Sequence, residues 1–346
     1  MSDGLHSADV RALAQSTLTW REAITYPDAI DAALSTAAHA PDALLDGLLG
    51  AEAVIFTGAG SSYYLARTMA WVWREETSCP ATAMPLSEIL LRPLGAVGPR
   101  PERTAIVVIS RSGETSDAVA AAAWARAAGA FTVAVTCRPA SSLAAAAPVA
   151  LVSPRADERA IVMTRSFTSM LALLLGITAR AATRPDLGAA LSSLAAGSAA
   201  VVAADVDRGW ELASAELWSR VVILGGGALH GIAMEAGLKI VEMSQLPTDA
   251  YEPLELRHGP ISICEPGVLL VGLFGGAGEA EERRVLDECA ALGASTWAPD
   301  VGTGRYPAAR LPLYLPPLQA LALGIAVARG RDPDRPRHLS QVVVLP

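Results

Sequence analysis

Four times in this chain a short, unbroken apolar run leads into a glycine- or serine-rich turn and then into a helix-forming stretch. These are AEAVIFTGAGSSYYLARTMAWVW (from residue 51), RTAIVVISRSGETSDAVAAAAWARAAG (from 103), RVVILGGGALHGIAMEAGLKIVEMS (from 220) and GVLLVGLFGGAGEAEERRVLDECAALGA (from 267). Strands without polar alternation are buried on both faces, and strands that alternate with helices pair in parallel. The fold class is therefore α/β, with parallel sheets flanked by helices on both faces. The plan runs twice before and twice after a helical stretch at 165–204, so two similar units stand in tandem. We set an N-terminal helical segment at 1–45, a first unit at 46–204 and a second at 205–346. AFTVAVTC supplies a further strand to the first unit. In the N-terminal segment Trp20, Ile24 and Ile30 are spaced for one helical face, and Pro27 breaks the run.

A chain of 346 residues suits two ordinary domains, and a hydrophobic share of 52% is ample for their cores. The net charge of −8 lacks the electrostatic footprint of a nucleic-acid binder. Arginines are scattered apart from Arg329, Arg331, Arg335 and Arg337, which read as a solvated turn. Cys79, Cys137, Cys264 and Cys289 form no CxxC pair and no Cys/His metal spacing, so they read as plain thiols of a reducing compartment. The N-terminus has no apolar core stretch for a signal peptide. The longest apolar runs, such as 170–178, are too short to span a bilayer. A soluble cytoplasmic protein with no membrane or nucleic-acid partner is expected.

In open parallel sheets ligands bind where strands end and helices begin, and unpartnered N–H groups there suit phosphate. SRSGETSD places Ser110, Ser112 and Thr115 around Gly113, and GAGSSY adds Ser61 and Ser62. Glycine lets the backbone approach an anion and hydroxyls donate to its oxygens. In one turn such residues could simply be helix caps; two hydroxyl-rich turns favour a phosphate ester. A dinucleotide site fits worse. GAGSSY lacks the third glycine of GxGxxG, and GGGALH puts His230 there with Gly231 one residue late. A GxxxxGK[ST] phosphate loop is absent from the sequence.

Of the 27 basic residues, only Lys239 is a lysine. It shares a helical face with Glu235 and Glu242 at i, i+4 and i+7. A surface charge stripe is the commoner fate of such a triplet. Apolar flanks (Met234, Leu238, Ile240, Val241, Met243) instead indicate a largely buried helix. A compact, tunable ammonium is where arginine cannot replace lysine. Downstream, His258 precedes Gly259-Pro260, beside Glu255 and Arg257. That turn would fix the direction of a side chain suited to acid–base work.

These segments, together with VMTRSFTSM, LELRHGP and GRDPDRPRHLSQVV, fall in an order that resembles the tandem sugar isomerase (SIS) family, notably the isomerase half of glucosamine-6-phosphate synthase. The resemblance covers almost the whole chain. It implies two tandem SIS domains, with Ser62, Ser110, Arg111, Ser112 and Thr115 on the substrate phosphate. It implies Glu242 as carrier of a proton between C1 and C2, Lys239 as stabiliser of an enediol-type intermediate, and His258 as the ring-opening group. Ser61, Glu255 and Gln341 are expected to contact substrate as well. In the family this histidine enters the site of a neighbouring subunit, so a homodimer is implied. Two departures matter. No glutaminase segment is found here, and Gln341 stands where the synthase carries a Schiff-base lysine; glutamine cannot form an imine. The expected activity is that of a phosphosugar isomerase or amino-sugar 6-phosphate deaminase on a hexose or hexosamine 6-phosphate, without cofactor or metal. The alternatives are a fructosamine-6-phosphate deglycase and a non-catalytic sugar-phosphate-binding regulator.

Overall fold

The computed structural model describes residues 7–215, 218–302 and 306–342. The chain forms two compact units. Of the described residues, one gathers Thr25–Arg159, Arg165–Ala196 and 340–342, the other 7–24, Ala160–Thr164 and those from Gly197 to Leu339.

The first of these carries five parallel strands: β1 (Ala53–Gly58), β2 (Ala81–Pro85), β3 (Thr104–Ile109), β4 (Phe131–Thr136) and β5 (Val149–Val152), in the order β2-β1-β3-β4-β5. β3 is central and wholly buried, as an unbroken apolar run requires. Ile55, Ile106, Val108 and Ala134 face one side. There they meet Ala118, Ala121, Ala122 and Ala125 of the helix Ser116–Ala127 and Leu86 and Ile89 of Leu86–Leu91. The alanine row lets this helix lie close to the sheet. Helices Tyr26–Ala38, Ser61–Thr77 and Arg165–Ala181 pack together in the same unit.

The other unit holds β6 (Arg220–Gly225), β7 (Thr248–Tyr251), β8 (Val268–Leu273) and β9 (Ser295–Trp297), parallel and ordered β7-β6-β8-β9. Val222, Leu224, Val268 and Leu270 pack on Val285, Leu286 and Cys289 of the helix Glu279–Ala291. The helix Leu315–Ala328 packs on Ala228–Ser244 and on the N-terminal helices Ser7–Ser16 and Leu18–Ala23. Trp20 sets its ring edge-on to Trp210, with centroids 4.8 Å apart. Asp334 caps this start, accepting from the main-chain nitrogens of Leu18 (2.7 Å) and Thr19 (2.8 Å) and from Thr19 Oγ1 (2.7 Å).

Trp20, Ile24 and Ile30 do not share a face. One helix ends at Ala23 and the next begins at Tyr26 with Pro27 in its first turn, which leaves Ile24 exposed. Position 205 lies inside the 31-residue helix Pro185–Ala215.

The two sheets repeat each other closely. Gly60 (φ 54°, ψ −126°) and Gly227 (φ 56°, ψ −125°) start 17-residue helices after β1 and β6, and both helices close on a left-handed residue, Ser78 or Gln245. A Cβ on Gly58 would overlap Ser62, and one on Gly225 would come within 2.6 Å of the Leu229 carbonyl oxygen. Only glycine lets either helix begin so close to its strand.

The expectation about bilayer-length segments is corrected. Among the described residues, two helices are long and apolar enough to cross a membrane: Pro185–Ala215 and Pro307–Ala328, with mean hydropathy 1.7 and 1.6 over an 18-residue stretch of each. The apolar window of Pro307–Ala328 is 94% buried, which makes it a core helix, against 22% for Pro185–Ala215. Cys137 and Cys289 are buried and Cys79 and Cys264 half-buried, all as free thiols. Burial pushes the Cys289 thiol up to about 12, with a hydrogen bond to Cys264 adding to it.

Candidate active site

The turn after β3 is built from its own side chains. Gly113 N–H donates to Ser110 Oγ (3.2 Å) and Glu114 N–H to Ser112 Oγ (3.1 Å); Thr115 Oγ1 lies 3.4 Å from Ser110 Oγ. Gly113 has φ +65°, and a Cβ there would overlap the Ser141 hydroxyl, so both conformation and space demand glycine. The Glu114 carboxylate accepts from Ser142 Oγ (2.7 Å) and N–H (2.9 Å), and these bonds hold its pKa below the ordinary carboxylate value. Thr115 is the N-cap of Ser116–Ala127, yet its hydroxyl makes no capping bond. Gly60, not a serine, is the N-cap of Ser61–Thr77. Helix capping therefore does not account for the hydroxyls of Ser61, Ser62 and Thr115. Ser61, Ser62, Ser110 and Ser112 are all buried at the C-terminal ends of β1 and β3, adjacent strands of one sheet.

Arg111 lies in the same turn but is only 6% exposed. Its Nη2 donates to the Gln341 carbonyl (2.9 Å), and its Nη1 sits 3.9 Å from the buried carboxylate of Glu158. Glu158 carried no signal in the sequence, because a buried counter-ion has no characteristic spacing. Its carboxylate also accepts from Ser166 Oγ at 2.5 Å.

In the other unit, Lys239 lies on Ala228–Ser244 at 2% exposure. Its Nζ is 2.6 Å from Glu242 Oε2 and 3.3 Å from Glu235 Oε1. Burial acts to lower the ammonium pKa, but the charges and hydrogen bonds of the two carboxylates more than reverse it, so the net shift is upward. The group stays charged. Glu235 is as buried as the lysine, whereas the Glu242 side chain is 19% exposed. Of the three, Glu242 alone reaches toward solvent, and a substrate could meet it there.

Glu255 and His258 are exposed on the 3-10 turn Leu254–His258, which ends at Gly259 (φ 132°). The His258 side chain makes no hydrogen bond among the described residues. Arg257 instead grips Glu288 with both Nε (2.8 Å) and Nη2 (2.6 Å), which ties the turn to Glu279–Ala291. His230 is buried in the first turn of Ala228–Ser244, with Nε2 3.7 Å from Glu252 Oε1. It occupies the place where a dinucleotide turn would need glycine.

Residues 47–179 match the family model described as the SIS domain. The chain is 28% identical over 334 residues to the isomerizing glutamine–fructose-6-phosphate aminotransferase of Pyrobaculum aerophilum, a match that covers 88% of this chain and 53% of the relative. The chain thus spans about half the length of such relatives. It is 29% identical over 364 residues to the AgaS protein of Streptomyces coelicolor, whose name carries a D-galactosamine-6-phosphate deaminase activity; 94% of this chain and 90% of the relative are covered. Among solved structures, a glucosamine-6-phosphate deaminase from Thermotoga maritima superposes with a TM-score of 0.80 and 25% identity, covering 95% of this chain and 100% of that one. Residues 47–179 are a SIS domain, and the whole chain carries two SIS-type sheets in tandem, the fold of the SIS phosphosugar isomerases and deaminases it resembles.

Proposed function

We propose that the protein interconverts the aldose and ketose forms of a hexose or hexosamine 6-phosphate. When the sugar carries an amine at C2, water then completes the reaction with loss of ammonia. The observation that carries this reading is the Lys239–Glu242 pair at 2.6 Å, buried at the lysine and open at the glutamate. A carboxylate fixed by an ammonium is suited to lift a proton from one carbon and return it to the next. The same ammonium would offset charge as it develops on the enediol. The serine and threonine hydroxyls of 61–62 and 110–115, with the N–H groups of their turns, would hold the phosphate. The exposure of His258 supports a role in opening the ring in a neighbouring subunit, with Glu255 beside it, and hence a homodimer. Gln341 at the family's lysine position favours proton transfer over imine chemistry. We place the protein in the cytoplasm, where its four cysteines stay reduced.

The test is incubation with glucosamine, galactosamine, fructose and tagatose 6-phosphates, following ammonia and ketose. One of them should turn over, and Glu242→Gln should cut kcat by about 10²–10⁴-fold. Full activity in that variant would remove Glu242 as the proton carrier.

A further inference from the structure

The carbonyl of Gln341 and both atoms of its side-chain amide are bonded to protein. The carbonyl accepts from Arg111 Nη2 at 2.9 Å, Oε1 accepts from Arg138 Nη2 at 3.4 Å, and Nε2 donates to the Glu158 carbonyl at 2.6 Å. These partners come from three different loops, those after β3, β4 and β5, at the C-terminal ends of three neighbouring strands of the first sheet. Each loop is anchored in turn. The Arg111 carbonyl accepts from Cys137 N–H (2.9 Å) and Thr136 Oγ1 (3.1 Å). Arg138 Nε meets both Asp157 oxygens, at 3.2 and 3.1 Å. One residue near the C-terminal end of the described chain therefore joins three ligand-facing loops.

Arg111 sits between Ser110 and Ser112, but its guanidinium is engaged by Gln341 and Glu158. The buried Glu158 carboxylate balances its charge. A guanidinium so placed is poorly suited to be the main counter-charge of a phosphate. It is well suited to fix the backbone that carries the hydroxyls. The side-chain bonds of Gln341 hold its carbonyl against Arg111.

We propose that the segment at Gln341 is a strap on the phosphate turn, and that Gln341 is a positioning residue acting through Arg111. The proposal rests on reading the turn as the phosphate site. It also gives a reason for the residue type. The position needs one group that accepts from Arg138 and another that donates to the Glu158 carbonyl. An amide does both, a lysine only donates, and a glutamate only accepts.

Titration calorimetry with inorganic phosphate on the full chain tests this, comparing the unsubstituted protein with Gln341→Ala, Gln341→Glu and Ser110→Ala. Gln341→Ala should weaken phosphate binding about five- to tenfold, ~1–1.4 kcal/mol. Gln341→Glu should weaken it at least as much, because its carboxylate faces the Glu158 carbonyl. Both should melt within about 2 °C of the unsubstituted protein when phosphate is absent. On a sugar phosphate that turns over, KM should rise in parallel while kcat stays within about twofold. Unchanged phosphate affinity in Gln341→Ala overturns the strap. So does a loss of melting temperature and kcat with affinity intact, which marks a merely structural residue. If Ser110→Ala weakens phosphate binding and Gln341→Ala does not, only the strap fails. If the unsubstituted protein gives no phosphate binding, or Ser110→Ala leaves it untouched, the reading of the turn fails and the strap with it.

Discussion

A lysine enclosed by two glutamates is held by charge balance more than by shape. Removing the ammonium would leave two carboxylates facing each other in a site of low polarisability, one of them as buried as Lys239 itself. Lys239→Met is therefore expected to lower stability by about 3–5 kcal/mol at neutral pH. Without its counter-charge Glu235 would have a raised pKa, so this loss should shrink as pH falls toward the ordinary carboxylate range. Denaturant melts at pH 7 and 5 check both statements; an equal loss at the two values would contradict them. In the intact protein the Lys239 pKa is raised by its partners. Its stabilisation is then complete below about pH 10.4, the unfolded value, and is lost only as pH rises through the higher folded value. The spacing Glu235–Lys239–Glu242 and the near-absence of lysine made this cluster legible in the sequence. Its charge partners on one helix follow from periodicity alone. Glu158 and Arg138, which decide what Arg111 and Gln341 do, were not legible, because they meet through loops 203 residues apart in the case of Arg138 and Gln341.

At the scale of elements, the strand–glycine–helix junctions set the site. Gly58→Ala should force the first turn of Ser61–Thr77 away from β1 and cost about 1–3 kcal/mol by overpacking, with weaker phosphate binding as Ser61 and Ser62 move. Gly95 in the helix Pro93–Val97 is the contrast: a Cβ there meets nothing within 4 Å, and Gly95→Ala should be neutral or stabilising by about 0.5–1 kcal/mol. Thermal melts of the pair would separate close approach from simple loss of glycine flexibility. β1, β3, β4, β6 and β8 announce themselves as unbroken apolar runs. The edge strands do not. β2 and β7 are mostly half-buried, and β9 has three residues, too few to show a period. The helix after β3 begins at Ser116, with Thr115 as its N-cap, while Glu114 turns its carboxylate to Ser142.

At the scale of the whole molecule, the duplicated frame outlasted the residues on it. The two 17-residue helices match in length and in both caps, yet where the later one carries Glu235 and Lys239 the earlier carries Thr68 and Val72. One copy carries hydroxyl-rich turns and the other a charged helix face. Sequence order showed the duplication but not its interleaving, in which residues 7–24 pack into the later unit. That placement depends on Trp210, Asp334 and the surface of Leu315–Ala328, which no local pattern links to residues 7–23. Asp334→Ala should cost about 1–2 kcal/mol and speed amide exchange at Leu18 and Thr19, whose nitrogens it caps. The same bond has a consequence for biosynthesis. Thr19 leaves the ribosome 315 residues before the carboxylate that receives it. At ordinary elongation rates that is a wait of about 15–60 s. The surface of Leu315–Ala328, on which the first two helices pack, is made only near the end of that interval, whereas all five strands of the first sheet are made well before it and are free to pair.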